Sequence, residues 1–175
     1  DNGTLQTTGA LTLMNAIVLN AGGGTVDTGA STTLNGIISG AGGLTKTGTG
    51  NLTLGGANTY TGGTTISAGT QTGTAIFLQG NIVDNAALVF DDAVGGTYAG
   101  NISGTGTVTK TNTGTVTFTG NNTYSGATFI NGGILAVGPT GIGDTSAVTI
   151  NTPGILQLNA NETIRSLAGN GALNG

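Results

Sequence analysis

The sequence has no cysteine, no histidine and no tryptophan, and its only basic residues are Lys46, Lys110 and Arg165. Without cysteine there is no disulfide framework and no thiolate metal site. Without histidine as well, and with seven acidic residues scattered along 175 positions, the usual nucleophile, base and acid of an active site have nothing to be built from. No catalytic residue, cofactor or metal ligand is assigned from the sequence. Three cations cannot form the basic patch that displaces counterions from nucleic acid, nor draw the chain to anionic lipid. Charged residues are 6% of the chain, against roughly a quarter in ordinary soluble domains. Charge-rich disorder is excluded with them, because 36% of the residues are hydrophobic. No apolar run approaches the roughly 18 residues of a membrane-spanning helix. The longest, Ala75–Leu78 and Ala86–Phe90, have the length of strands.

What the chain has instead is glycine, 36 residues of it, and an internal repeat. Residues 36–69 align without gaps on 100–133 at an offset of 64, the separation of Lys46 from Lys110, and 19 of the 34 aligned positions are identical. Ile38-Ser-Gly40 matches Ile102-Ser-Gly104, Thr45-Lys-Thr47 matches Thr109-Lys-Thr111, and Asn58-Thr-Tyr60 matches Asn122-Thr-Tyr124. A partial third copy occupies about 148–175, where Gly154–Leu158 and Ser166–Gly171 echo Ala86–Phe90 and Ile102–Gly106.

Within each unit the apolar residues recur with a period of two, as in Leu52/Leu54, Leu88/Phe90, Val116/Phe118, Leu135/Val137 and Val148/Ile150. Alternation of this kind sends one side chain inward and the next outward along a strand, and no segment shows a helical period. Leu52, Leu54, Ile66, Val116, Phe118 and Ile130 stand at equivalent inward positions and are the expected core. Glycines and the pairs Asn35-Gly36 and Asn131-Gly132 separate the strands and are expected to supply corners with positive φ. Short strands, tight corners and a long repeat predict an all-β parallel β-helix, a single solenoid over 1–175. Three coils per 64-residue unit give about eight coils, a stack roughly 40 Å long.

The stretches Gly40–Leu54 and Ala57–Gly69, the weaker copy Ile102–Gly133, and Glu162–Gly171 resemble the passenger-associated repeats of bacterial autotransporters, the type V secreted surface proteins. The resemblance implies a right-handed β-helix, exported to the cell surface, in adhesion, aggregation or biofilm. It brings no catalytic residues. The family's C-terminal membrane barrel is missing from these residues, so no membrane insertion is expected of this segment. The chain opens at Asp1 without a basic, apolar leader, which reads as a processed form or a fragment.

Other motifs have plainer readings. Val26-Asp27-Thr-Gly-Ala30 has the form of an aspartic-protease tripeptide. That chemistry needs two carboxylates sharing a proton, and there is no second Asp-Thr-Gly in the chain, although a symmetric dimer could supply one. A carbohydrate-cleaving β-helix would want clustered acids. Asp91 and Asp92, with Asp84, offer oxygen ligands for Ca²⁺ but read first as a solvated turn. Gly141-Ile-Gly-Asp144 is a single fragment of a calcium-binding nonapeptide repeat. Gly40-Ala-Gly-Gly43 and Gly104-Thr-Gly106 lack the remainder of a phosphate loop. Lys46 and Lys110 read as corner-facing, solvated lysines rather than a ligand stripe. Tyr60 and Tyr124 read as core cover, or as an exposed aromatic row for surface glycans. The Asn-X-Ser/Thr triplets at Asn2, Asn51, Asn101, Asn121 and Asn161 are expected by chance in a chain this rich in Asn and Thr.

The sequence thus predicts a structural, non-enzymatic, extracellular segment whose partners are other copies of itself or surface glycans. The alternative is a subunit that stacks head to tail into an extracellular filament. Neither end reads as capped: Asp1–Leu13 already alternates and the chain stops inside a repeat at Leu173-Asn-Gly175.

Overall fold

The computed structural model describes residues 2–175; Asp1, with which the alternating first segment opens, lies outside them. The chain winds in nine turns with three faces. The first turn carries β1 (Gly3–Thr7), β2 (Leu11–Leu13) and β3 (Ile17–Val18), and the second β4 (Gly24–Thr28), β5 (Thr32–Leu34) and β6 (Ile38–Ser39). In the third and fourth turns, β7 (Leu44–Thr47) and β8 (Asn51–Leu54), then β9 (Thr64–Ile66) and β10 (Thr70–Gly73), are each followed by an irregular third side. The fifth and sixth turns are complete: β11 (Ile82–Asp84), β12 (Ala87–Asp91), β13 (Gly95–Tyr98), then β14 (Ile102–Ser103), β15 (Thr107–Thr111), β16 (Thr115–Phe118). The last three turns have an irregular first side, followed by β17 (Thr128–Ile130) and β18 (Ile134–Val137), β19 (Ala147–Ile150) and β20 (Ile155–Leu158), and β21 (Ser166–Gly169) and β22 (Ala172–Asn174).

All pairing is parallel and runs from turn to turn. The first face is a six-stranded sheet from β1 to β14 and the second a nine-stranded sheet from β2 to β21. The third face is split into the pair β3-β6 and a five-stranded sheet from β13 to β22. One turn takes between 17 and 21 residues, read from the register Leu11↔Thr32 through Gln71↔Leu88. Nine turns therefore replace the eight expected. The minimum of 17 is reached twice, from β20 to β22 and in the fourth turn, where Ala75–Leu78 lies in a tight turn and not in a strand.

The difference lies in the repeat itself. From β7 the first sheet climbs through β9 and β11 to β14, three turns, and the chain then rounds one more corner to reach β15. Sixty-four residues, the offset that carries Lys46 onto Lys110, thus span three turns and one further face. Strand β7 lies on the first face and its counterpart β15 on the second; β8 lies on the second and its counterpart β16 on the third.

The core is a column inside the three faces. Leu52, Leu54, Ile66, Val116, Phe118 and Ile130 are each 1% exposed or less, as their alternation predicts. Phe90, Tyr98 and Phe118 meet edge to face, with ring centroids 4.8 Å apart for Phe90–Phe118 and 5.3 Å for Phe90–Tyr98. Many outward positions carry small polar residues instead, although Val83, Val89 and Phe129 also face outward. Along the second face, Thr12, Thr33, Thr53 and Thr72 are successive register partners. The corners differ from the expectation at Asn35-Gly36. Gly36 is absent from the positive-φ residues, as are Asn131 and Gly132, where the next residue, Gly133, takes the positive φ instead; glycine is required at 36 because a Cβ would lie 1.9 Å from the Asn15 carbonyl oxygen.

Candidate functional site

The two repeats build the same three polar devices, each inside a corner of the solenoid. The first is a lysine cage. Lys46 is fully buried, and its Nζ donates to the carbonyl oxygens of Thr47 at 2.7 Å, Gly48 at 2.8 Å and Ala68 at 3.0 Å. Lys110 is buried in the same manner and donates to Thr111, Asn112 (2.9 Å) and Gly132 (3.3 Å). An ammonium has three N–H donors and no acceptor, so three carbonyls satisfy it fully. The corner makes this possible. Gly48 and Asn112 occupy the same repeat position and both adopt positive φ, 73° and 64°, a conformation open to glycine and tolerated by asparagine. Each supplies one of the carbonyls. The expectation of solvated lysines is therefore corrected. Sequence rules place an unpaired Lys outside, and the carbonyl cage that admits it depends on a corner conformation. Burial draws both ammonium groups below the ordinary lysine value; the charge of Asp27 partly offsets this at Lys46, and those of Asp92 and Asp91 at Lys110.

The second device is an asparagine bridge. Asn58 accepts the Ile38 amide on Oδ1 at 2.9 Å and donates through Nδ2 to the Phe77 carbonyl at 3.0 Å. Asn122 does the same between the Ile102 amide (2.7 Å) and the Gly141 carbonyl (2.7 Å). Each joins three successive turns where the sheet is interrupted. The third is a buried phenol. The hydroxyl of Tyr60 meets Thr64 Oγ1 at 2.8 Å and that of Tyr124 meets Thr128 Oγ1 at 2.7 Å. In the second copy the chain of hydroxyls continues to Ser146 Oγ at 2.8 Å, which donates to the Gly126 carbonyl. Both tyrosines are buried, which corrects the alternative of an exposed aromatic row. Desolvation raises the pKa of each phenol. The repeat comparison marked Asn58-Thr-Tyr60 and Asn122-Thr-Tyr124 as identical; what it did not disclose was that the asparagine stands in for a missing strand.

The acidic candidates are dispersed. Asp27 faces outward in the middle of β4 and accepts Gln6 Nε2 at 3.0 Å, so the Asp-Thr-Gly tripeptide begins within a strand. Asp91 is exposed at the end of β12. Asp92 is buried, not solvated, and both its oxygens accept the Ala75 amide, at 3.2 and 3.1 Å. Asp84 is buried at the end of β11. Among the described residues no three of Asp, Glu, His and Cys come together as metal ligands. In Gly141–Asp144, Ile142 is buried and Asp144 exposed. The Gly141 and Ile142 amides donate to Glu162 of the next turn at 3.0 and 3.3 Å. A carboxylate one turn above thus caps two of the irregular segments: Asp92 over the fourth turn and Glu162 over the eighth. Desolvation raises the pKa of both.

The outer surface carries Thr, Asn, Ser and Gly, with asparagine ladders at two corners. Asn81 accepts the Asn101 amide at 3.0 Å and Asn101 the Asn121 amide at 2.8 Å, while Asn151 Nδ2 donates to Asn131 at 2.7 Å. No helix is long and apolar enough to cross a membrane among the described residues.

Comparison with known proteins agrees with this dissection. The passenger-associated-transport-repeat family model matches residues 44–70 and 108–137. These two matches start 64 residues apart and enclose the lysine, asparagine and tyrosine of each copy. The adhesin BmaC autotransporter of Brucella suis biovar 1 (strain 1330) is 53% identical over 93 residues, 50% of this chain and 3% of that protein. The chain therefore spans a small part of its relative's length. No solved structure matches. Residues 44–70 and 108–137 thus match the passenger-associated-transport-repeat, and each match forms a little more than one turn of the solenoid.

Proposed function

We propose that this segment is a non-enzymatic rod at the bacterial surface, part of a secreted passenger that serves in adhesion. The observation that carries the reading is where the chain places its polar chemistry. Both lysines, both repeat asparagines and both repeat tyrosines are buried and bonded to the scaffold, so the groups equivalent between the repeats hold corners closed. The adhesin name of the relative supports the role. The surface left over carries few charges and is rich in hydroxyl and amide groups, which suits sugar hydroxyls better than charged ligands. Surface glycans are accordingly the proposed ligand class. Beads coated with the 175-residue segment should adhere to cells and lose adhesion after glycosidase treatment. Adhesion no better than that of uncoated beads, or hydrolysis of polysaccharide or peptide by the segment, overturns the reading.

A second reading is favoured by the terminal turns. β2 and β21 end the nine-stranded sheet and each pairs on one side only. Leu167 and Leu173 are about half exposed on the last turn, and an apolar cavity lined by Leu5, Leu13, Ile17 and Leu19 opens beside the first. Pairing of β21 in one copy with β2 of another would continue the sheet and bury both edges. Sedimentation at rising concentration tests it: end-to-end oligomers support stacking, and a monomer throughout removes it.

A further inference from the structure

We propose that Asp84 makes the solenoid responsive to pH, its carboxyl tightening the corner between the first and second faces when protonated and loosening it when ionised. The placement of the group carries the argument. Asp84 ends β11, points inward and is 0% exposed. Its Oδ1 accepts the Ala86 amide at 3.0 Å, while Oδ2 is buried without any hydrogen-bond partner. It occupies an interior column above Val26, Lys46 and Ile66, its register predecessors. The next turn leaves room for it with glycine: a Cβ on Gly106 would lie 2.3 to 2.6 Å from the carboxyl atoms of Asp84. The carboxyl thus fills a volume that a side chain of the turn above would otherwise take.

The charged groups facing it are few. Strands β9 and β14 carry no titratable side chain. In β12, Asp91 is exposed at the far end. Two turns below, the Lys46 ammonium is committed to the carbonyls of Thr47, Gly48 and Ala68. Above lies the buried phenol of Tyr124, whose own ionisation the Asp84 charge disfavours. With an unpartnered buried oxygen, the ionised form loses hydration that the Ala86 amide does not replace. Burial accordingly raises the carboxyl to about 6 from its ordinary 3.8. A raised folded value means that the folded state binds the proton more tightly than the unfolded chain. The stabilisation is complete below about 3.8, declines as pH rises through the interval to about 6, and is absent above it.

Unfolding by urea at about pH 4.5 and about pH 7.5, for the wild type and Asp84→Asn, tests the proposal. Asp92 and Glu162 respond in the same direction and are common to both proteins, so the difference between the two isolates Asp84. The wild type should gain on the order of tenfold more in its folding constant on acidification than the variant does. Carboxyl NMR titration of the wild type supplies a measurement that survives if the variant fails to fold. An Asp84 carboxyl that titrates like a solvated aspartate, or equal acid gains in the two proteins, overturns it.

Discussion

Lys46 and Lys110 hold their ammonium groups in the same three-carbonyl cage under different corners of the solenoid, each the last residue but one of its strand, in the first face and the second respectively. Replacing either with Met should destabilise the fold by about 1–3 kcal/mol, because the carbonyls that each held are left unpaired inside the corner. Urea unfolding reads this directly. The cages are three turns and one face apart, roughly 16 Å along the axis at about 4.8 Å per turn. The double substitution should therefore cost the sum of the two single ones to within about 0.5 kcal/mol. A marked departure from additivity would show that the corners are mechanically joined.

Phe118→Ala should cost about 3–5 kcal/mol. The ring sits 4.8 Å from Phe90 and 6.2 Å from Tyr98, centroid to centroid, so its loss opens a cavity that three turns line. Phe118→Leu should cost less than half as much. A Phe118→Ala protein with an unchanged urea midpoint would place the ring outside the core.

Gln71 is the weak plank of the interior. It is fully buried and neither amide atom has a partner. Its register neighbours are Leu52 and Leu88, and its repeat counterpart is Leu135. Gln71→Leu should raise stability by about 1–3 kcal/mol, since it removes an unsatisfied buried amide at nearly constant volume. A melting temperature that falls instead would mean the amide is satisfied by buried water.

Chelation by EDTA should leave the melting temperature unchanged, and added Ca²⁺ should not raise it. Asp84 and Asp92 each bind a backbone amide in a separate corner. A drop with EDTA that Ca²⁺ restores would reassign these carboxylates.

The part of the fold legible in the sequence is the part governed by alternation. Leu52/Leu54 and Val116/Phe118 could be placed inside because a strand alternates its side chains regardless of which face it joins. The face itself was not legible. An offset of 64 residues, Lys46 to Lys110, looks like three coils until the length of one turn is known, and that length depends on how tightly each corner folds. The lysines show the second limit. Lys is assigned to solvent on the cost of burying its charge, and here three carbonyls turned inward by Gly48 and Asn112 offset that cost. Asp84 is a third case: its neighbours in sequence are unremarkable, and its carboxyl has room inside only because Gly106 falls one turn above it.

The surplus face in each repeat has a geometric outcome for display. Two copies separated by three turns and one face look outward in directions a third of a revolution apart. Three such copies in series would face all three sides, and a fourth would return to the starting bearing. A filament of these repeats would then present the same patch to every side, like a bottle brush, and would need no particular rotation about its axis to meet a surface.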